Sequence, residues 1–454
     1  MSYQTSNPVT GEVVARFGSW TDAELASALA QVSAMTPVWG ATPLEERCRL
    51  LNRLAATIRD QGESLAQLVS LEMGKLITES RIEVEKCALG CEFYAAQAAT
   101  FLADELVETD AEKSLVAYQP MGTVLAVMPW NFPLWQVFRF IAPTLAAGNT
   151  GLLKHASNVP QCALAIERLI QEAGFPEGVF RTLMVDSGGV EGVIADPRVH
   201  AVTLTGSESA GRSVGAAAGK HLKKSVLELG GSDAFVVLED ADLEHTVKQA
   251  VVSRFMNCGQ SCIAAKRFIV VADIAEAFVA RFAQAVEALC VGDPANAKTS
   301  LAPMARVDLR DELHAQVQAS IAAGAVLVTG GKPVAGPGAY YPATILDHVA
   351  PGMVAYEQEL FGPVASIIRV ANEAQALEVS NGSRFGLGGS VWTQDKKRGE
   401  HFARQMQCGS AFVNSMVKSD PRLPFGGIKA SGYGRELSYH GLREFVNAKT
   451  LWVR

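Results

Sequence analysis

One cysteine of the 454-residue chain lies in a segment whose composition suits a reactive thiol. Cys262 ends the segment 255–262, in which Gly259 and several polar residues precede it and an apolar strand is predicted to follow. Glycine lets the backbone approach a ligand closely, and a thiol becomes nucleophilic in a polar, accessible site. We therefore expect Cys262 to be a nucleophile.

The neighbouring Cys258 raises two other interpretations of this segment. Two cysteines separated by three residues can belong to a metal site, but no second Cys or His pair follows at a spacing typical of zinc, so no metal is expected. Cys258 could instead be the resolving thiol of an oxidised Cys262. A bystander role for Cys258 is equally compatible with the sequence.

A carboxylate and an amide complete a set of residues that could carry out acyl chemistry. Glu228 lies in an apolar strand end, and after Leu229 come two glycines. Burial there would raise the pKa of Glu228 toward that of a general base. Asn131 lies between two prolines at a strand end, where its amide can donate to a developing oxyanion. The sequence leaves open whether Glu228 deprotonates Cys262 or acts on water in a later step.

A possible phosphate site follows the predicted strand 201–205. Gly206 and Ser207 open a helix there, and the amide groups at a helix N-terminus can receive a phosphate. The three-glycine dinucleotide fingerprint is absent from the chain, so a nicotinamide cofactor would be bound in a variant way.

Composition limits the class of protein. Apolar residues make up 48% of the chain and charged residues 19%, which is typical of a globular protein. The net charge of −7 does not suit a nucleic-acid partner. The sequence shows neither a secretory signal nor an apolar run long enough to cross a membrane. Its eight cysteines are widely spread, which favours a cytoplasmic location.

The elements that must position these residues form two series. A capping box at Thr42–Glu45 predicts the first of three helices, which are expected over 44–60, 63–72 and 78–102. Strands that alternate with helices are predicted over 124–128, 150–153, 181–185, 201–205 and 235–238, and then over 267–271, 326–329, 365–370, 388–392 and 410–414. This pattern indicates an α/β fold with two lobes that divide just after the glycine pair at 230–231.

Two strand-like pieces fit neither lobe. These are 114–119 and the tail around 449–453. Spare edge strands often pair with another subunit, so we expect a homodimer or a dimer of dimers. The predicted domains are therefore 1–113 with 120–230, then 231–430, and finally 114–119 with 431–454.

Taken together, five segments resemble the aldehyde dehydrogenase family in order and spacing. They are Pro129-Trp130-Asn131-Phe132-Pro133, Leu227-Glu228-Leu229-Gly230-Gly231, Gly259-Gln260-Ser261-Cys262, Glu359-Leu360-Phe361-Gly362-Pro363 and Pro424-Phe425-Gly426-Gly427-Ile428-Lys429. The resemblance covers essentially the whole chain and looks closest to the bacterial NAD(P)-dependent succinate-semialdehyde dehydrogenase branch. It implies a variant Rossmann cofactor domain, a catalytic domain and a small β element for oligomerisation.

The resemblance also implies roles for single residues. Cys262 would attack the aldehyde, Asn131 and the Cys262 amide would hold the resulting oxyanion, and Glu228 would activate the water that releases the acid. Residues implied to bind the cofactor are Trp130, Lys154, Ser157, Gly206, Ser207, Leu229, Glu359 and Phe361. Of these, Glu359 matches the contact to the nicotinamide ribose, and Phe361 lies beside the ring. Family members often have proline where this chain has His155.

The choice of cofactor is inferred from Ser157. Members that favour NAD commonly carry a glutamate at this position, and a carboxylate would repel the 2′-phosphate of NADP. Ser157 is small and neutral, and Lys154 adds a positive charge nearby in sequence. We therefore expect NADP to be preferred and NAD to be usable.

The choice of substrate is inferred from Arg139. If Pro133 starts a helix, Asn131, Trp135 and Arg139 fall on one face that would line the aldehyde tunnel. Arg139 could be a surface arginine. Its neighbours in the sequence are apolar, however, and an unpaired arginine is costly among them, so a substrate carboxylate would satisfy this cation. Succinate semialdehyde has a suitable length, and Ser419 is a plausible second contact.

Three alternatives to this function were weighed. A coenzyme-A-acylating relative would not need a water-activating carboxylate, so Glu228 argues against it. A non-catalytic binding protein on the same fold would be expected to lose Cys262. A dehydrogenase for another small aldehyde stays open.

Overall fold

The computed structural model describes residues 3–454. The chain begins with an antiparallel hairpin and four helices, which are β1 (Tyr3–Ser6), β2 (Val13–Phe17), α1 (Asp22–Ala41), α2 (Leu44–Asp60), α3 (Gly62–Met73) and α4 (Ile77–Phe101). The three predicted helices are confirmed as α2, α3 and α4. The predictions missed β1, β2 and α1.

The predicted capping box at the start of α2 is wrong. Thr42 is the C-cap of α1, and its hydroxyl donates to the Val38 carbonyl at 3.0 Å, so the hydroxyl does not cap α2. A capping box does start α1, where Thr21 and Glu24 exchange side-chain and backbone hydrogen bonds. The sequence pattern was misplaced because α1 continues up to the residue before Thr42.

The next part of the chain alternates strands and helices. Its elements are β3 (Glu105–Leu106), β4 (Lys113–Pro120), β5 (Thr123–Met128), α5 (Trp135–Ala146), β6 (Thr150–His155), α6 (Pro160–Glu172), β7 (Phe180–Thr182), α7 (Val190–Ala195), β8 (Ala201–Thr205), α8 (Glu208–Lys220) and β9 (Lys224–Glu228). Glu228 was predicted to lie in an apolar strand end, and β9 ends at this residue. The start of β9 was not predicted, because Lys224 and Ser225 are polar.

The remaining elements complete a second α/β series. They are β10 (Asp233–Val237), α9 (Leu243–Phe255), β11 (Ala265–Val271), α10 (Ala272–Glu287), α11 (Val307–Ala322), β12 (Val326–Thr329), β13 (Thr344–Asp347), α12 (Val354–Glu357), β14 (Val364–Val370), α13 (Glu373–Asn381), β15 (Phe385–Gly386), β16 (Gly388–Trp392), α14 (Lys396–Gln405), β17 (Ser410–Val413), β18 (Ile428–Lys429), β19 (Gly432–Tyr433), α15 (Ser438–Arg443) and β20 (Val446–Val453).

Two large sheets confirm the prediction of two α/β lobes. The first sheet has six strands in the order β19-β9-β8-β5-β6-β7, and all neighbours are parallel except β19 and β9. The second sheet has seven strands in the order β12-β13-β14-β11-β10-β16-β17, with β12 antiparallel at one edge. Two apolar clusters include strands of the first sheet, and a third includes strands of the second. The predicted strand 235–238 belongs to the second sheet as β10, and β13 was missed.

A third, small sheet has three antiparallel strands in the order β20-β4-β3. Its long pair runs in register from Val446 opposite Pro120 to Val453 opposite Lys113. The two spare strands thus pair with each other. The predicted tail 431–454 is divided, because β19 pairs with β9 in the first sheet. Among residues 3–454, no helix has both the length and the apolar character needed to cross a bilayer.

The first sheet brings several predicted site residues to one edge. The strands β5, β6, β8 and β9 are parallel, so their carboxyl ends lie along the same side of the sheet. Asn131 follows β5, Ser157 follows β6, Gly206 follows β8 and Glu228 is the last residue of β9. Ligands commonly bind at this edge of an α/β sheet.

Candidate active site

The segment that leads to Cys262 has an unusual backbone. Asn257, Cys258 and Gly259 are consecutive residues with positive φ angles of 55°, 53° and 69°. The conformation is costly for the two residues that have side chains. The Asn257 N–H donates to the Glu79 carboxylate at 3.1 Å, which helps to hold the turn.

The two cysteines of this segment lie in different surroundings. Cys258 is buried in the core of the second sheet, whereas Cys262 packs at the border of the first core and lines a cavity. All eight cysteines are free thiols. Within residues 3–454, no cluster of three or more His, Cys, Asp or Glu side chains is arranged to hold a metal ion.

The cavity beside Cys262 has a volume of about 460 Å³. Its wall includes Trp135, Arg139 and Ser419, which the sequence predicted to contact the substrate. Phe132 and Phe425 add aromatic surface to the same wall. The structure therefore brings all three predicted substrate residues to the cavity that holds the predicted nucleophile.

The resting Cys262 thiol is protonated at neutral pH. Burial raises its pKa to about 12, and Glu359 and Asp233 act in the same direction. The positive charges of Arg139 and Lys266 oppose this shift. Activation of the thiol thus needs a base or a change in its electrostatic surroundings.

Asn131 is fastened to the nucleophile segment. Its side-chain amide donates to the Gln260 carbonyl at 3.1 Å, and its own carbonyl accepts from the Asn257 side chain at 2.9 Å. The residue is buried, with 4% of its surface exposed. Two hydrogen bonds therefore fix the predicted oxyanion donor relative to the segment that ends at Cys262.

Glu228 is buried at the end of β9 and is not part of the cavity wall. Within the described part of the chain, neither of its carboxylate oxygens has a hydrogen-bond partner. Burial raises the pKa of Glu228 well above its usual range, and the neighbouring Glu436 raises it further. Burial thus favours the neutral carboxyl group, and the carboxylate that forms when its proton leaves is a stronger base than an exposed glutamate.

The surroundings of Arg139 differ from the prediction. The guanidinium forms an ion pair with the buried Glu436 and donates to the Thr205 hydroxyl at 3.1 Å, so it does not depend on a ligand for a partner. The helix α5 also begins at Trp135 and not at Pro133. The N–H groups of Leu134, which precedes the helix, and of Trp135 donate to the Glu83 carboxylate at 2.9 and 3.0 Å.

Lys86 is a residue of this cavity that the sequence analysis missed. Its ammonium donates to the Ser419 hydroxyl at 2.6 Å and lies 4.4 Å from the centre of the Trp135 ring. Burial and, to a smaller extent, the positive charge of Arg139 lower the pKa of Lys86 to about 8. Its only sequence signal is a lysine next to the buried face of α4, which is too weak a signal to indicate a site.

Glu359 and Phe361 lie close to the nucleophile segment. Glu359 accepts from the Gly231 N–H and pairs with Lys266, both at 3.1 Å. The Phe361 ring packs edge-on against Trp130, with 5.8 Å between ring centres. Glu359, predicted to contact the nicotinamide ribose, thus lies near Cys262, because its partner Lys266 also bonds to the Cys262 carbonyl at 2.7 Å.

The residues predicted to bind the adenosine end follow β6. Lys154 is half-buried, and burial lowers its pKa, while Ser157 is exposed. His155, which replaces the common proline, is buried and contacts the Pro133 carbonyl through Nε2 at 2.8 Å. Its Nδ1 accepts from the Ala156 N–H at 2.8 Å, and burial lowers the pKa of His155 to about 4, so the ring is neutral.

The predicted phosphate site lies at the start of α8. Ser207 is the N-cap and accepts from the Ala210 N–H, while the Gly206 N–H donates to the Glu228 carbonyl at 3.0 Å. The amide of Gly206 is therefore already used within the protein. Gly211 lets α8 approach β9, since a side chain there would collide with Leu229.

Comparison with known proteins supplies independent information. The model described as the aldehyde dehydrogenase family matches residues 1–451. A probable NADP+ succinate-semialdehyde dehydrogenase of Synechocystis is 51% identical over 453 residues, which is the full length of both chains. An NADP+ succinate-semialdehyde dehydrogenase of Mycobacterium ulcerans is 50% identical over 457 residues, again with full coverage of both.

A solved structure supports the same comparison. The succinic semialdehyde dehydrogenase of Streptococcus pyogenes, determined in complex with NADP+, superimposes with a TM-score of 0.98. It is 40% identical, and the match covers 99% of each chain.

Proposed function

Because this chain belongs to the aldehyde dehydrogenase family, we propose that it oxidises succinate semialdehyde to succinate and reduces NADP+. One observation carries the choice of substrate. The cavity beside Cys262 is mainly apolar, yet its wall also holds the cations Lys75, Lys86, Arg139 and Lys418 and the carboxylates Glu79 and Glu83, of which Glu83 is paired with Lys75. A small aldehyde that carries a carboxylate matches this combination of a thiol and an excess of positive charge.

The chemistry begins at Cys262. Its sulfur, as the thiolate, adds to the aldehyde carbon, and the C–S bond forms as the carbonyl oxygen becomes an oxyanion. The Asn131 amide and the Cys262 N–H would donate to this oxygen. Because the Asn131 amide already lies beside the nucleophile segment, little reorganisation is needed to reach the oxyanion.

Hydrolysis then releases the acid. After the aldehyde carbon has lost hydride, it is bonded to Cys262 as a thioester. We assign the Glu228 carboxylate to take a proton from the attacking water, so that the hydroxyl group adds to the thioester carbon and the C–S bond breaks. Cys262 leaves as the thiolate, which the proton held by Glu228 can then neutralise. The raised pKa of Glu228 and its two unpartnered oxygens support this role.

The residues present fit a bound NADP+, which supplies the hydride acceptor. Glu359, Phe361 and Trp130 would hold its nicotinamide end. Leu229 would also contact the cofactor, since it follows Glu228 and precedes the glycine pair that Glu359 bonds to. Gly206 and Ser207, at the start of α8, would face the pyrophosphate. Lys154 and the exposed Ser157 would hold the adenosine ribose, and neither would repel a 2′-phosphate.

The substrate carboxylate would be bound by Lys86, Ser419 and Arg139. Lys86 and Ser419 already share a hydrogen bond of 2.6 Å, and a carboxylate can accept from both groups. Arg139 would add electrostatic attraction while it keeps its ion pair with Glu436. Trp135 and Phe425 would pack against the short carbon chain of the substrate.

We further propose that the protein forms homodimers or dimers of dimers in the cytoplasm. The strand β20 supports the assembly, because seven of its eight residues are exposed and its outer edge pairs with no other strand of the described chain. The eight free thiols suit a reducing compartment.

A spectroscopic assay tests the function. Absorbance of the reduced nicotinamide would be followed with succinate semialdehyde or butanal, with NADP+ or NAD+, in the absence of coenzyme A. We expect turnover that favours succinate semialdehyde and NADP+, and no turnover by Cys262→Ala. Equal efficiency with butanal would contradict the assigned substrate, and a requirement for coenzyme A would contradict the hydrolytic step.

A further inference from the structure

Lys266 is a buried cation beneath the nucleophile segment. It belongs to β11, and 2% of its surface is exposed. Its ammonium donates to the carbonyls of Ser261 at 2.8 Å and Cys262 at 2.7 Å, and it lies 3.1 Å from a Glu359 oxygen. The Ala264 carbonyl is a fourth, more distant acceptor at 3.4 Å, so all three protons of the ammonium have partners.

The same contacts join two parts of the proposed site. Cys262 ends the nucleophile segment, whereas Glu359 lies on the loop before β14. The Glu359 oxygen that pairs with Lys266 also accepts from the Gly231 N–H at 3.1 Å. The Lys266 ammonium is therefore bonded both to the residue that bears the thiol and to the predicted ribose-binding carboxylate.

The charges of this pair act on the thiol in opposite directions. Lys266 lowers the pKa of the Cys262 thiol, and Glu359 raises it. Burial is the largest cause of the raised pKa, and Arg139 lowers it more than Lys266 does, although that guanidinium is separately paired with Glu436. Lys266 and Glu359 thus have opposite effects on the pKa of the Cys262 thiol, and Lys266 is bonded to the backbone carbonyl of the same residue.

We propose that Lys266 is a positioning residue that ties the Cys262 backbone to Glu359 and keeps the thiol and the cofactor-binding carboxylate at a fixed separation. This inference rests on the proposed roles of Cys262 and Glu359. It predicts that one substitution at Lys266 alters both the reactivity of the thiol and the affinity for NADP+.

The experiment measures both properties without turnover. Alkylation of Cys262 by iodoacetamide would be followed by peptide mass spectrometry between pH 6 and 9, and NADP+ binding would be followed by tryptophan fluorescence. In Lys266→Met, we expect alkylation at neutral pH to be about three- to tenfold slower, since one pKa unit changes the thiolate fraction tenfold. We also expect NADP+ to bind several-fold more weakly.

Two further variants separate charge from loosened packing. Lys266→Gln keeps hydrogen-bond donors without the charge, so it should slow alkylation while disturbing NADP+ binding less than Lys266→Met does. Glu359→Gln removes the opposing charge, so it should accelerate alkylation by about three- to tenfold. If both Lys266 variants fail to fold, the Glu359→Gln result decides, and an unchanged or slower alkylation rate there would overturn the proposal.

A matched control comes from Lys429. Its ammonium also donates to two backbone carbonyls, those of Asn381 and Ser383, but it lies outside the proposed site. Lys429→Met should leave the alkylation rate and NADP+ affinity unchanged. Folded Lys266→Met with wild-type alkylation and NADP+ affinity would overturn the proposal. Because alkylation needs no aldehyde, this outcome is distinguishable from a failure of the proposed function.

Discussion

At the scale of single residues, the hydrogen bonds of Asn131 set the first expectation. Asn131→Ala removes one oxyanion donor and keeps Cys262, so we expect the turnover number to fall by about 100- to 1,000-fold. Iodoacetamide alkylation of Cys262 should change little by comparison. The turnover number and the alkylation rate of the same preparation provide the check, and a loss of turnover below tenfold would argue against Asn131 as the donor.

Lys86 leads to an expectation about pH. Its pKa is lowered to about 8, so its positive charge is present below that pH and is lost as the pH rises through it. A carboxylate substrate should then bind more weakly, and KM for succinate semialdehyde should rise between pH 7 and 9. Butanal has no carboxylate, so its KM should stay nearly constant.

The variant Lys86→Met tests this assignment. We expect KM for succinate semialdehyde to rise at pH 7 by about tenfold or more, since hydrogen bonds to charged groups contribute about 1.5–3 kcal/mol. The pH dependence of KM should disappear at the same time. A variant that keeps the wild-type pH profile would show that another group titrates. Arg139→Ala is a poorer test, because it also leaves Glu436 buried and unpaired.

Ser157 leads to an expectation about the cofactor. In Ser157→Glu, the new carboxylate should repel the 2′-phosphate of NADP+ and accept hydrogen bonds from the ribose hydroxyls of NAD+. The ratio of kcat/KM values for the two cofactors should therefore reverse in favour of NAD+. Steady-state kinetics with both cofactors measure this ratio, and an unchanged preference would remove Ser157 from the explanation.

Sequence reasoning offers site candidates where residues have a local signal, and it failed where the partner is distant. Cys262 and Asn131 lie in short segments whose composition indicates chemistry. Lys86 has no such signal, because its partner Ser419 is 333 residues away and meets it only through the fold. The ion pair of Arg139 with Glu436 was missed for the same reason, and the argument that Arg139 lacks a partner was wrong.

At the scale of elements, alternation of apolar runs was sufficient to find most strands of both sheets. The start of β9 was not predicted because it consists of polar residues, and the strand β19 was missed because it is only two residues long. The capping box was assigned to α2 because a Thr-Pro pair is compatible both with the end of one helix and with the start of the next. Periodicity identifies the elements, whereas their ends depend on tertiary contacts.

The packing of α8 on β9 gives a prediction about an element. A Cβ at Gly211 would meet the Leu229 side chain, so Gly211→Ala should displace the start of α8 and cost about 1–3 kcal/mol of stability. Because Ser207 caps this helix, KM for NADP+ should also rise.

The same helix offers a matched control. Nothing lies within 4 Å of a Cβ at Gly219, so Gly219→Ala should be neutral or stabilise the helix by up to about 1 kcal/mol. Urea unfolding and cofactor kinetics of the two variants provide the comparison. Equal effects of both substitutions would show that the contact with Leu229 does not position the start of α8.

At the scale of the whole molecule, the small sheet leaves a surface that the monomer does not cover. From Asn447 to Val453, every residue of β20 is exposed, so both faces of this strand are open. Leu451 and Val453 lie on one face and Trp452 on the other. A strand with apolar residues on both faces and an unpaired edge is suited to an interface with a second copy.

The last prediction tests this interface. The double substitution Leu451→Lys and Val453→Lys places two positive charges on one face of β20, where desolvation on assembly would be costly. Light scattering after size exclusion should then report a mass near the 48.3 kDa of one chain, while the unsubstituted protein gives a multiple of it. Leu222→Lys is the matched control, because Leu222 is 96% exposed on another surface. If the doubly substituted protein keeps the mass of the unsubstituted assembly, β20 lies outside the interface, and the subunits must associate through a different surface.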